Sequence, residues 1–228
     1  MQHVFLRHAG GEPLAFKGGT CLRVAYGNPR HSEDLDFHAE TDAERVLAHL
    51  DTATGRLADY GLPAEVNRRP SRAGLHAVLR YQGPLFDGSA RSRGGVRIEV
   101  SLREEPVAVE EVFVPRTPYA DVPQLVLRAL TREHLLAEKV RALLVRAKAR
   151  DLFDVHFLVE RGVRCPRSLL DAKMRVYRRR FSLAALDRGV RSAGLSWSDD
   201  LEPLLGQVPP LRPVAASVRE AFRHLPGA

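Results

Sequence analysis

Only two cysteines, Cys21 and Cys165, occur in the 228 residues, and they lie far apart. They form neither a disulfide framework nor a CxxC zinc site, so the chain is expected to be cytoplasmic with reduced thiols. No apolar run approaches the roughly 18 residues that a membrane span needs, so no membrane partner is expected. The opening MQHVFLRHAGGEP lacks an apolar stretch followed by a small-residue cleavage site, so no signal peptide is read there. Internal repeats and low-complexity segments are also absent. What remains is 44% hydrophobic and 28% charged, the composition of a soluble globular protein rather than a disordered one. Its length fits one large domain or two small ones.

Charge is unevenly placed. The chain carries 35 Lys/Arg against 28 Asp/Glu, a net +7. Between Arg128 and Arg180 stand 15 basic and 6 acidic residues, leaving 20 basic and 22 acidic elsewhere. A basic block of this kind suits a polyanion such as nucleic acid; the competing role is a solvated surface.

The first hundred residues alternate strand and helix signals. Leu14-Ala15-Phe16 ends at Lys17-Gly18-Gly19, and Thr20 is expected to open a helix through CLRVAYG, stopped by Gly27-Asn28-Pro29. Asp34-Leu35-Asp36-Phe37 reads as a strand. Thr41 is a plausible N-cap for a helix over 42–60. Further strands are expected over 76–82, 95–103 and 109–114. In the second of these, Val96, Ile98, Val100 and Leu102 share one face, and Arg97, Glu99, Ser101 and Arg103 the other. The second half is helical, with helices expected over 131–146, 150–160, 166–186 and 213–224 and a Pro-rich linker at 206–213. The fold class is therefore α/β (α+β), a mixed-sheet core with flanking helices over residues 1–120, followed by a helical part over 121–228.

The sharpest feature is Gly18-Gly19-Thr20 followed by Asp34-x-Asp36. A Gly-rich turn entering a helix brings backbone N–H groups close to a phosphate, with the positive helix end behind them. Thr20 adds a hydroxyl. Two carboxylates two apart on a strand point the same way, and such like charges are unfavourable without a cation between them. Mg²⁺ suits such oxygen ligands and also binds phosphates. Glu99, on the polar face of its strand, could join them, and three carboxylates could hold two metals for an in-line displacement. Each feature has a plainer role: Gly18-Gly19 a turn, the aspartates a solvated strand face, Glu99 a partner of Arg97 or Arg103.

Lys139 and Arg146 lie seven apart on one helical face, at the edge of an apolar stripe of Leu135, Leu136, Val140, Leu143 and Leu144. The plainer role for Lys139 is a surface pair with Glu138 or Glu133. Asp151 falls in the first turn of the next helix, where capping is its plainer role. Asp154 reads as structural. Arg175, Arg178, Arg179 and Arg180 are the best candidates for nucleic-acid backbone contact, against a solvated helix face. His31, His38, His134 and His156 lack metal-ligand spacing.

FKGGTCLRVAYGNPRHSEDLDF resembles the first motif of the DNA polymerase beta-like nucleotidyltransferase superfamily. Its Lys-Gly-Gly-Thr start and Arg30-x-Ser32-x-Asp34-Leu35-Asp36-Phe37 ending resemble the AbiEii/AbiGii (MenT-like) toxin family. LLAEKVRALLVRAKARDLFDV is similar to that family's Lys-bearing helix and Arg-Asp-x-x-Asp helix. The resemblance spans about residues 14–158; the last 65 residues carry no assigned motif.

The resemblance implies a nucleotidyltransferase fold and roles for particular residues. Gly18, Gly19 and Thr20 would cradle the nucleotide. Asp34, Asp36 and Glu99 would bind Mg²⁺, or Mn²⁺ in its place, with Glu99 activating the attacking hydroxyl. Lys139, with Arg146 near it, would contact the triphosphate, and Asp151 would be the aspartate of the last motif. The helical part would complete the active-site cleft. It implies transfer of NMP from an NTP to an acceptor hydroxyl, the tRNA 3′ end in a toxin, with a cognate antitoxin as partner. Three alternatives stay open: the same chemistry on a small molecule or protein hydroxyl, a non-catalytic nucleic-acid-binding module, and a mainly structural partner of an antitoxin.

Overall fold

The computed structural model describes residues 1–71, 74–102, 107–114 and 124–225. It divides into two compact units, Met1–Gly27 with Ser32–Leu130, and Asn28–His31 with Thr131–Ala228.

The first unit contains α1 (Gln2–Ala9), β1 (Leu14–Lys17), α2 (Gly18–Tyr26), β2 (Leu35–Ala39), α3 (Ala43–Gly55), β3 (Ala64–Ser71), β4 (Gly74–Tyr81), β5 (Gly94–Ser101), β6 (Val109–Phe113) and β7 (Val126–Leu130). The strands form one sheet in the order β3-β4-β5-β2-β1-β7-β6 among the described residues. It is mixed: β2 runs parallel to β5 and β1 parallel to β7, and the other neighbours are antiparallel. Alternation decides which face is covered. Leu35 and Phe37 of β2, Val96, Ile98 and Val100 of β5, and Leu75, Ala77 and Leu79 of β4 are buried. The Phe16 and Phe37 rings meet with centroids 5.3 Å apart. Burying each such large side chain stabilises the unit by about 1.5–3 kcal/mol. Register then gives the opposite face to Asp36, Glu99, Arg97 and His76.

The second unit contains α4 (Arg132–Arg146), α5 (Ala149–Glu160), α6 (Arg167–Arg175), α7 (Leu183–Gly194), α8 (Trp197–Leu201) and α9 (Leu211–Arg223). α5 is apolar almost all round; Leu152, Phe153, Val155, Phe157 and Leu158 are all buried. The residues 28–31, distant in sequence, are held in this unit, where the His31 N–H donates to the Leu204 carbonyl at 2.8 Å.

Several boundaries differ from expectation. The expected division at residues 120–121, and Arg103, lie outside the described residues; β7 pairs with β1 and so extends the first unit to Leu130. Helix α2 begins at Gly18, two residues before Thr20. Asp42, not Thr41, caps α3, because its carboxylate accepts from the Arg45 N–H at 2.8 Å. The helix expected over 166–186 is two helices. The chain leaves α6 after Arg175, Arg178 takes a left-handed conformation (φ 53°), and Ser182 caps α7 by accepting from the Ala185 N–H. The arginine cluster therefore does not share one helical face. Helix α1 and strands β3 and β7 had no expected counterpart.

Candidate functional site

In the first unit the site is built where β1 turns into α2. Lys17 is still extended, and Gly18 follows at φ +78°, a conformation that side chains with a Cβ resist. A Cβ at Gly18 would collide with the Asp36 carboxylate. Lys17 pairs with Asp36 across the antiparallel β1–β2 ladder, which brings that carboxylate to the turn. Asp36 is also the register partner of Glu99 on the parallel strand β5. Asp34 stands two residues before Asp36, just ahead of β2. The three carboxylates thus belong to one polar sheet face whose reverse is aliphatic.

Each is held in a particular way. Asp34 Oδ1 accepts from Arg97 Nε at 3.0 Å. That hydrogen bond first, and the charge of Asp34 second, raise the Arg97 guanidinium above its ordinary pKa. Glu99 Oε1 lies 3.5 Å from His76 Nδ1. Both Asp34 and Glu99 are substantially exposed, at 42% and 57% of their side-chain surface. Thr20 differs from expectation. It is fully buried, its hydroxyl donates to the Asp34 carbonyl at 2.5 Å, and it lies 3.0 Å from Ser32 Oγ. With its proton engaged there, Thr20 ties the start of α2 to the Asp34 backbone in this structure.

The donor set fits a hard divalent cation: three carboxylates, a glycine cradle at Asp36, and no soft ligand among them. No group of three or more His, Cys, Asp or Glu side chains is gathered as a preformed metal cluster among the described residues. Arg97 on Asp34 and His76 on Glu99 are the contacts that a cation would replace.

In the second unit the candidate residues lie in a buried charge network. The sequence places Lys139 at the edge of an apolar stripe, with a surface pair to Glu138 or Glu133 as its plainer role. It is instead buried, with Nζ 2.8 Å from Asp154 Oδ2. Glu138 faces Lys173 at 3.4 Å. Asp154 is fully buried and also accepts from Arg30 Nε at 2.9 Å, Arg30 Nη2 at 3.0 Å and Asn28 Nδ2 at 3.0 Å. Burial alone pushes the Asp154 carboxyl up, but Lys139 and Arg30 outweigh it, and the group is held below its ordinary value. Asp151, also fully buried, accepts both bonds of the Arg146 fork, at 2.7 and 2.8 Å. Arg146 was expected at the nucleotide and Asp151 in catalysis; here each is the other's partner. Arg178, Arg179 and Arg180 are exposed on the connection between α6 and α7, and Arg175 is exposed at the end of α6.

Sequence reasoning missed the role of Asn28 and Arg30. It took Asn28 as a helix stop, and the bond that matters runs to a residue 126 positions away. The signal was Arg30 within the Arg-x-Ser-x-Asp motif; nothing local names its partner.

A mixed sheet with a Gly-Gly turn against Asp-x-Asp defines the nucleotidyltransferase class. The fold is shared with JHP933 from Helicobacter pylori (TM-score 0.65, 20% identity, covering 97% of this chain and 87% of that one). It is shared likewise with MenT4, a nucleotidyltransferase toxin from Mycobacterium tuberculosis (TM-score 0.68, 22% identity, covering 97% and 80%). No curated protein matches the chain. The family described as nucleotidyl transferase AbiEii toxin, type IV toxin–antitoxin system, matches residues 1–225, and the chain belongs to that family. It is a nucleotidyltransferase of a toxin family, which implies a nucleotide substrate and a cognate antitoxin. No helix among the described residues is long and apolar enough to cross a membrane.

Proposed function

We propose that the protein acts in the cytoplasm as a Mg²⁺-dependent toxin that transfers NMP from an NTP to the 3′ hydroxyl of tRNA. The observation that carries this reading is the Asp36 carboxylate lodged against Gly18 and in register with Glu99. Asp34, Asp36 and Glu99 would hold Mg²⁺, which would supply charge neutralisation for the phosphates. Gly18 and Gly19 let the start of α2 approach a phosphate, whose charge the helix N-terminus favours. Glu99 takes the proton of the acceptor hydroxyl. That oxygen forms a bond to the α-phosphorus, the α–β phosphoanhydride bond breaks, and pyrophosphate carries away the electron pair. Positioning and charge neutralisation provide most of the rate. Lys139, ion-paired with Asp154, is assigned to the triphosphate, and Asp151 to the last motif.

A label-transfer assay tests this. Purified protein, Mg²⁺ and total tRNA are incubated with each α-labelled NTP in turn, beside Asp36→Ala. Label on tRNA with one or two NTPs, absent in the variant, supports the reading. Label on a protein, or on a small molecule, replaces the acceptor and keeps the chemistry. Absence of NTP binding removes the enzymatic reading.

A further inference from the structure

A second feature of the helical unit lies outside the catalytic motifs. An open cavity of about 470 Å³ is lined by Leu144 and Ala147 at the end of α4, by Arg179 and Arg180, and by Arg188 and Ser192 of α7. Its volume is that of a small-ligand site. The local sequence explains its shape. Ala185, Arg188, Gly189 and Ser192 recur at helical spacing, so α7 presents one stripe to the cavity. Gly189 lets α7 pack tightly on α4, since a Cβ there would lie 3.0 Å from the Leu143 carbonyl oxygen. Arg178, in its left-handed conformation, reverses the chain just before Arg179 and Arg180. A non-glycine residue in that region is strained and persists where surrounding contacts impose it. Two such contacts are the Arg178 N–H to the Arg175 carbonyl and the Arg179 N–H to the Met174 carbonyl.

The charged residues that line this cavity are all basic. Arg179 Nη1 donates to the Leu144 carbonyl at 3.1 Å, which orients its fork and leaves its other donors. Acids on the helices that contribute to the cavity are ion-paired: Asp187 with Arg219 at 2.6 Å, Asp171 with Arg167 at 2.9 Å, and Glu138 with Lys173 at 3.4 Å. No carboxylate lines the cavity. By contrast, the 690 Å³ cavity beside Trp197 is lined by Asp199 and Glu202 and by no Lys or Arg. Three guanidinium groups and a hydroxyl around one concavity are the chemistry of phosphate recognition.

We infer that the cavity formed by Arg179, Arg180, Arg188 and Ser192 binds a backbone phosphodiester of the RNA acceptor. This rests on the reading of the acceptor as RNA. It adds Arg188 and Ser192 of α7 to the contact surface. A polynucleotide is favoured over a free nucleotide because the site offers donors for phosphate and no aromatic ring among its lining residues for a base.

The test measures tRNA binding without NTP or Mg²⁺ transfer, by fluorescence anisotropy at several salt concentrations. Variants are R180A/R188A, the charge-keeping R180K/R188K, and a control, R212A/R223A, which removes equal charge from α9. R180A/R188A is expected to weaken tRNA binding and to lower the log–log salt slope by about 1 per arginine removed. R180K/R188K is expected to restore most of the slope, because the charge remains, but only part of the affinity, because the planar fork is lost. NTP binding is expected to be unchanged in all three. An unaltered slope in R180A/R188A, an equal loss in the control, or loss of NTP binding in place of tRNA binding overturns the inference. Failure of the wild-type protein to label tRNA overturns the acceptor reading instead, and the binding series still decides whether this cavity holds RNA phosphate.

Discussion

Five acidic side chains carry the motifs of this protein, and the two units treat them oppositely. Asp34 and Glu99 of the sheet unit keep 42% and 57% of their side-chain surface exposed, and each faces a solvent-accessible partner. Asp151 and Asp154 of the helical unit have no exposed surface, and two arginines and a lysine hold them. An exposed ion pair exchanges its partner at little cost, whereas breaking a buried one leaves a desolvated charge. Exposure thus separates the carboxylates proposed to meet a cation from carboxylates held in buried ion pairs. Asp36, against Gly18, belongs with the first group.

The largest expected effect tests the buried half of this contrast. Asp154→Ala leaves Arg30 and Lys139 buried without their anion and is expected to destabilise the protein by about 3–5 kcal/mol, read as a lower denaturation midpoint. A wild-type midpoint would mean that the network does not hold the helical unit. Next is the exposed half. Asp36→Asn is expected to abolish label transfer while leaving the thermal midpoint within a few degrees of wild type. Gly18→Ala is expected to lose transfer as well, because its Cβ occupies the place of the Asp36 carboxylate. Gly18→Ala with full activity would show that this close approach is unnecessary.

Acid unfolding sharpens the comparison further. The folded Asp154 carboxyl lies below its ordinary value. Its contribution is therefore fully present above the unfolded carboxyl value of about 3.9 and is lost as pH falls through the lower folded value. Asp154→Asn should flatten that acid limb; an unchanged limb would assign the dependence to other acids. The smallest effect is expected from Arg97→Ala. Its exposed pair with Asp34 should leave the thermal midpoint unmoved, while Mg²⁺ is needed at lower concentration because no guanidinium competes for Asp34. A raised Mg²⁺ requirement would instead make Arg97 a positioning residue.

Strand alternation in β2 and β5 was legible because a one-residue slip would turn Phe37 and Ile98 to water. The Gly-Gly-Thr and Asp-x-Asp motifs were legible because turn chemistry is local. Helix ends were less so: α2 begins at Gly18 and not Thr20, and the 166–186 run breaks at a left-handed arginine that no propensity rule selects. Lys139 is legible as a motif residue, but its partner is not, because Asp154 is adjacent to it in space and not in sequence. Arg188 had no signal at all, being an ordinary basic residue on an amphipathic helix.

By itself the sequence determined the α/β then helical order, the polar face of β5, the motif residues and the basic second half, since all of these are periodicities or short-range spacings. Tertiary structure alone decided which charges meet. It set Asp36 beside Gly18 and Glu99, buried Asp154 among Arg30, Lys139 and Asn28, and gathered Arg180 and Arg188 at a cavity with no acid among its described lining residues. The reason is physical: propensity and periodicity act over a few residues, whereas Coulomb and desolvation energies depend on distance through space and on burial.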